Sequence, residues 1–182
     1  MAAITFDASS VLKMLDGLPK GPVKRAIIRG LNKTAANVRT SASTAIRQRR
    51  ALSAKVVRDA MAIRKANAQR LISSIVVTGR PIPLRDYKAR QTKKGVTVAV
   101  TPGKRKLVEH RGNKAFVIGK LSGHVYARQG SDRLPIKKLF GPSLPSTFVQ
   151  TEVRSAWTAT AQEAMPKRLA EEVRFELGKL AK

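Results

Sequence analysis

The sequence predicts an α+β protein, with a long N-terminal basic helix and a C-terminal helix flanking a small antiparallel β-sheet. Three observations predict it. Apolar or small residues step by three and four from Val23 to Ile46, one face of a helix. Between residues 70 and 130, short β-branched runs alternate with glycine and proline turns, the mark of strands. From Phe148 to Leu180 the helical steps return.

Taken in order, ITFDASSVLKMLDGLP (residues 4–19) reads as a strand and a small helix capped by Ser9 or Ser10, before a break at Gly17–Pro22. A helix over roughly 22–48 follows, with Val23, Ile27, Leu31, Ala35, Val38, Ala42 and Ile46 inward and Pro22 in the first turn. Gly30 and the Thr and Ser residues in it are poor helix formers, so packing must hold it. A second short helix starts after Ser53, with Val56, Val57, Ala60 and Met61 inward.

RLISSIVVTG (70–79) reads as a strand, and RPIPLRDY (80–87), with prolines two apart, as a loop or edge. Val96, Val98 and Val100 alternate with Thr97, Ala99 and Thr101, a half-buried strand ending in a Pro-Gly turn. GNKAFVIGKL and GHVYARQG are further strands, and LPIKKLFGPSLPS (134–146) is a proline-punctuated loop. From Ser146 the second long helix carries Phe148, Val149, Val153, Ala156, Trp157 and Ala164 on one side. Pro166 kinks or restarts it, and Leu169, Val173, Leu177 and Leu180 continue the stripe. The domain expectation is a basic α+β unit over 1–146. Residues 147–182 then form an amphipathic helix, part of that domain or an interface arm.

Charge is the dominant compositional fact. The formal net charge is +26, enough for self-repulsion to destabilise a compact monomer unless negative charge relieves it. Of 37 Lys/Arg and 11 Asp/Glu, residues 147–182 hold six and five, leaving 31 and 6 for residues 1–146, a net of +25. An acid-free run from Gly17 to Arg58 holds eleven cations: Lys20, Lys24, Arg25, Arg29, Lys33, Arg39, Arg47, Arg49, Arg50, Lys55 and Arg58. Such a surface binds phosphates through counterion release, without reading sequence. No aromatic residue lies in that run, which favours duplex backbone over stacked single strands as its ligand. An acidic protein surface satisfies the same charge.

The chemistry of catalysis is hard to find. With no cysteine, there are no disulfides or thiolate metal sites. His110 and His124 have no metal-ligand spacing and read as strand or turn histidines. Glu171, Glu172 and Glu176 read as an exposed helix face. TPGKRK fails as a phosphate loop, because Val98 stands where glycine is needed and Arg105 where Ser or Thr is. It reads instead as a hairpin exposing Lys104, Arg105 and Lys106. A nuclease would require Asp59, Asp86, Asp132 and Glu109 to converge in the fold. We therefore expect no enzyme, no cofactor and no metal. MAAITFDASS has no secretory pattern and no run of about eighteen apolar residues occurs, so a soluble cytoplasmic product is expected.

Two segments carry a resemblance. They are GRPIPLRDYKARQTKKGVTV (79–98) and GHVYARQGSDRLPIKKLFGPSLPS (123–146), joined by Leu-Asn-Lys-Thr-Ala (31–35) and the amphipathic C-terminus. This ordered combination resembles the minor tail protein Z family of long-tailed bacteriophages, the lambda-type tail completion proteins. The resemblance implies a non-enzymatic structural role at the head-proximal end of the tail. It also implies a homo-hexameric ring, contact with the tail terminator and other neck proteins, and a hold on the double-stranded genome end. On that view Arg47, Arg49, Arg50, Lys55 and Arg58, with Lys104, Arg105 and Lys106, contact DNA or an acidic neighbour. The other reading is a freestanding, sequence-independent nucleic-acid-binding protein.

Overall fold

The periodicity from Val23 to Ile46 becomes one helix, α1 (Lys20–Arg49), 30 residues long. The computed structural model describes residues 2–8 and 20–179, so the expected helix capped by Ser9 or Ser10 lies outside them. Every apolar position expected inward on α1 is buried, joined by Ala26, Gly30, Thr34 and Ser43. Ile27, Leu31, Val38 and Ile46 are fully buried. At roughly 1.5–3 kcal/mol each, their burial outweighs the propensity cost of Gly30 and the Thr and Ser residues.

The chain leaves α1 through Arg50 and enters α2 (Ala54–Asp59), where the Ser53 hydroxyl accepts the Val56 N–H at 3.3 Å as an N-cap. Strand β2 (Met61–Arg64) follows directly, so Met61 is buried from a strand rather than from the helix. Strands β1 (Ala2–Asp7), β2 and β3 (Ile72–Val77) form an antiparallel sheet in the order β1-β3-β2, with Ile4 and Ile63 both opposite Ile75. Helix α1 packs against β3. Asn32 fastens α1 to the β2–β3 connection. Its amide donates to the Ala66 carbonyl at 3.2 Å and accepts the Ala66 N–H at 2.8 Å.

The remaining sheets are small, antiparallel and built from hairpins. Strand β4 (Ile82–Pro83) is the edge that its prolines allow, and a single 3-10 turn over Leu84–Tyr87 follows. Strands β5 (Arg90–Thr92), β6 (Gly95–Thr101) and β7 (Lys104–Leu107) form a three-stranded sheet. The expected alternation in β6 holds for Val96 and Val98 and then slips, leaving Ala99 buried and Val100 half-buried. The four residues of β6 from Val98 to Thr101 face the three of β7 from Lys106 to Lys104, and the extra residue flips the faces. Strands β8 (Glu109–His110) and β9 (Asn113–Lys114) pair with each other, as do β10 (Phe116–Ile118) and β11 (His124–Arg128).

The segment 134–146 is more ordered than a loop. It supplies β12 (Ile136–Lys138) to the open edge of β11, and β13 (Phe140–Gly141) to β4. Both strands are too short for periodicity to register, and only partner edges elsewhere define them. A short helix α3 (Pro145–Phe148) and then α4 (Thr151–Gly178) close the chain. The break between them turns Phe148 into the core and leaves Val149 59% exposed, against the expectation that both face inward. Helix α4 runs unbroken past Pro166, so proline does not restart it. Pro166 and Gln162 are both exposed, which lets water satisfy the carbonyl that the missing N–H leaves free.

Candidate functional site

Eight of the eleven cations of the acid-free run fall into two sets, and α4 divides them. Arg25, Arg29 and Lys33 recur every four residues along one face of α1. Glu172 and Glu176 are likewise four apart, on the α4 face that lies antiparallel to it. Arg25 Nε donates to Glu176 Oε2 at 3.0 Å and Arg29 Nη1 to Glu176 Oε1 at 2.6 Å. Lys33 Nζ bonds Glu172 Oε1, and Arg29 Nη1 lies 3.8 Å from Glu172 Oε2. The two carboxylates are only 5% and 2% exposed, which corrects the reading of Glu171, Glu172 and Glu176 as an exposed face. Only Glu171 remains so.

The reason is geometric. The inward stripe of α4 meets a cationic face of α1, and a carboxylate on that stripe gains more there than an apolar side chain. The hydrogen bond from Arg25, reinforced by the Lys179 and Arg29 charges, holds the Glu176 carboxyl below the usual glutamate range. Phe175 takes the outer position, 54% exposed, with Lys179 Nζ 4.3 Å and Arg29 Cζ 5.7 Å from its ring centroid.

Two further contacts carry the helix pair toward the other end of α1. The Thr160 hydroxyl donates to Ser41 Oγ at 2.8 Å, and Arg49 Nη2 pairs with Glu152 Oε1 at 2.5 Å. The backbone N–H of Glu152 and the Arg49 guanidinium hold that carboxyl below its usual range. Between Arg29 and Lys33, Gly30 faces Leu169 of α4. A Cβ there would stand 2.8 Å from Leu169 Cδ2 and 3.3 Å from Leu169 Cα.

The second set lies where α1 ends. Of the five contacts expected there, Arg49 is taken by Glu152. Arg50 is half-buried and donates from Nε to Thr147 Oγ1 at 2.9 Å, fixing the end of α1 to α3. Arg47, Lys55 and Arg58 are exposed, and none is in an ion pair among the described residues. Lys104, Arg105 and Lys106 are all exposed along β7, and Arg105 Nη2 donates to the Lys88 carbonyl at 2.6 Å.

The fold brings the two stretches together. Ala51 N–H donates to the Val100 carbonyl at 3.1 Å, and the next residue, Thr101, pairs with Lys104. The corner between α1 and α2 therefore abuts β6 beside its hairpin with β7, which links the two cationic stretches through the backbone. Local reading missed the division of the run. Its signal was present in the matching four-residue spacings of 25/29/33 and 172/176.

The carboxylates do not assemble a metal site. Asp59 and Asp86 line one cleft of about 660 Å³ with Arg80, whereas Asp132 and Glu109 do not line it. Among the described residues no three His, Asp or Glu side chains are placed to hold a metal. His124 sits in β11 with Nε2 3.0 Å from Lys138 Nζ. Burial first, and then the Lys138 and Arg85 charges, lower its pKa and keep it neutral. Among the described residues no helix is long and apolar enough to cross a membrane.

The described fold is thus a helical pair clamped by ion pairs to two buried carboxylates, with small hairpin sheets and a cationic corner. The chain belongs to the prophage minor tail protein Z (GPZ) family, whose model matches residues 8–182, nearly its full length. It is a structural component of a phage tail, placed in the virion tail among other tail proteins. No curated protein and no solved structure matches it.

Proposed function

We propose that this tail protein completes the head-proximal end of a long tail, as a homo-hexameric ring that helps join the tail to a filled head and holds the end of the genome. The observation that carries this reading is the uneven use of acid. Helix α4 pairs Glu152, Glu172 and Glu176 with Arg25, Arg29, Lys33 and Arg49, whereas Arg47, Lys55, Arg58, Lys104, Arg105 and Lys106 are in no ion pair among the described residues. A ring multiplies that residual charge by its copy number, and a polyanion passing through it offsets the repulsion. Duplex phosphates fit, because counterion release needs no base contacts and no aromatic residue lies in the acid-free run. The family supports a non-enzymatic role.

Cryo-electron microscopy of intact virions tests this. Ring density at the head–tail junction, with residues 47–58 turned toward DNA, is the expected result. Density there with the same residues buried on an acidic ring replaces DNA by protein as the partner. Absence of the chain from the junction refutes the reading and favours the freestanding nucleic-acid binder.

A further inference from the structure

The cationic corner is not the only unneutralised surface. A groove of about 560 Å³ opens among the hairpin sheets, lined by Gln91, Lys93, Asn113, Lys114, Phe116 and Arg128, with Gly95, Gly112 and Ala115 completing it. Its cations come from three separate elements: the β5–β6 turn, β9 and the end of β11. None is in an ion pair among the described residues, and no carboxylate lines the groove. Two acids stand near these cations in the ladder or the sequence: Glu109, opposite Lys114 in the β8–β9 ladder, and Asp132, four residues beyond Arg128. Both are exposed.

The framework beneath these side chains is fixed by hydrogen bonds. Asn113 Nδ2 donates to the carbonyls of Arg128 (3.3 Å) and Gly130 (3.1 Å), joining β9 to the end of β11. Gln91 Oε1 accepts the Val117 N–H at 3.0 Å, joining β5 to β10. Thr92 Oγ1 donates to the Gly95 carbonyl at 2.7 Å and sets the turn that presents Lys93. Gly95, at φ 134°, lies flat against this framework, its position for a Cβ 3.7 Å from Lys114 Cβ and from the Ala115 carbonyl.

The groove differs from the acid-free run in one decisive respect: it contains an aromatic ring. Cations that track phosphates beside a ring that accepts a base form the arrangement suited to single-stranded nucleic acid. We propose that this groove binds a single nucleic-acid strand, with phosphates on Lys93, Lys114 and Arg128 and a base against Phe116. The site is separate from the α1–α2 corner and does not depend on where the protein sits in the particle.

The test is fluorescence anisotropy of the full chain with a labelled oligothymidylate of about 12 nucleotides and with a duplex of the same length, over a series of salt concentrations. The triple variant K93A/K114A/R128A is expected to lower the single-strand salt slope by about 2, three contacts at about 0.7 each. F116L is expected to weaken single-strand binding about tenfold and leave duplex binding unchanged. Thermal melts confirm that both variants fold. The variant R47A/K55A/R58A, directed at the corner, keeps the Phe116 effect. A groove triple variant with the parent's affinity and slope overturns the proposal. So does F116L binding both ligands as the parent does, or a polyglutamate peptide of equal charge displacing the oligonucleotide equally well.

Discussion

Replacing Gly30 by alanine probes the helix pair on which the division of charge depends. In an exposed helix the change stabilises by about 0.8–1 kcal/mol through propensity alone. Here the added methyl meets Leu169 Cδ2 at 2.8 Å, and Leu169 Cγ and Cα at 3.3 Å. The Cδ2 atom can swing aside, but Cα belongs to the α4 backbone, so the helices must part by a few tenths of an ångström. Overpacking of this kind costs about 1–3 kcal/mol. Against the propensity gain, the expected net effect is a destabilisation of about 1 kcal/mol, read as a lower urea midpoint at unchanged m-value. L169A removes the Cδ2 and Cγ contacts and leaves only Cα at 3.3 Å, so the double variant should be more stable than the two single effects sum to, by at least about 0.5 kcal/mol. A G30A protein as stable as the parent, or additive behaviour in the cycle, refutes the close contact between α1 and α4.

Three more expectations follow from named contacts. Glu176 has a lowered folded pKa, so its contribution is complete above the ordinary glutamate value of about 4.3 and disappears as pH falls through the folded value. Hydrogen-exchange protection over residues 166–178, taken relative to the intrinsic rate at each pH, should fall in acid, and E172Q/E176Q should show that loss already at neutral pH. Asn32 satisfies both backbone groups of Ala66, and N32A strands them for a loss of about 2 kcal/mol, measurable by chemical denaturation. Tyr87 is fully buried, donates to the Pro142 carbonyl at 2.6 Å, and burial raises its pKa to about 12. Its stabilisation is therefore present below pH 10, its ordinary value, and is lost as pH rises through 12. Phenolate absorbance should report one tyrosine ionising together with alkaline unfolding, a step that Y87F lacks.

Long-period features were the legible ones. The stripe from Val23 to Ile46 needed nothing but its own spacing, and α1 lies within two residues of the expected ends. The Ser53 cap and the β3 and β6 strands were equally local. What escaped depends on partners distant in the chain. Ile136–Lys138 and Phe140–Gly141 are strands only because β11 and β4 offer edges to them. Val100 turned half outward because a bulge shifts the register after Val98.

The basic residues show the same limit most clearly. Charge counting saw eleven cations in a row, but which of them face carboxylates depends on contacts 139 to 151 residues away. Arg49 and Arg50 turned out to be tied to α4 and α3. The groove among Lys93, Lys114 and Arg128 assembles from three hairpins, and no sequence window spans it. The Leu-Asn-Lys-Thr-Ala stretch behind the family resemblance acquires a physical role as well, since Asn32 clamps Ala66 and Lys33 meets Glu172.

The central claim is that the cations which α4 leaves unneutralised face the genome. Site-specific photocrosslinking in assembled virions tests it most directly, with the reactive side chain placed at residue 47, 55 or 58 and a control at residue 33, where Lys33 pairs with Glu172. The account predicts more DNA adducts from the corner positions than from the control, whose side chain is exposed but paired with Glu172. Adducts confined to protein, or equal DNA adducts from residue 33, contradict it.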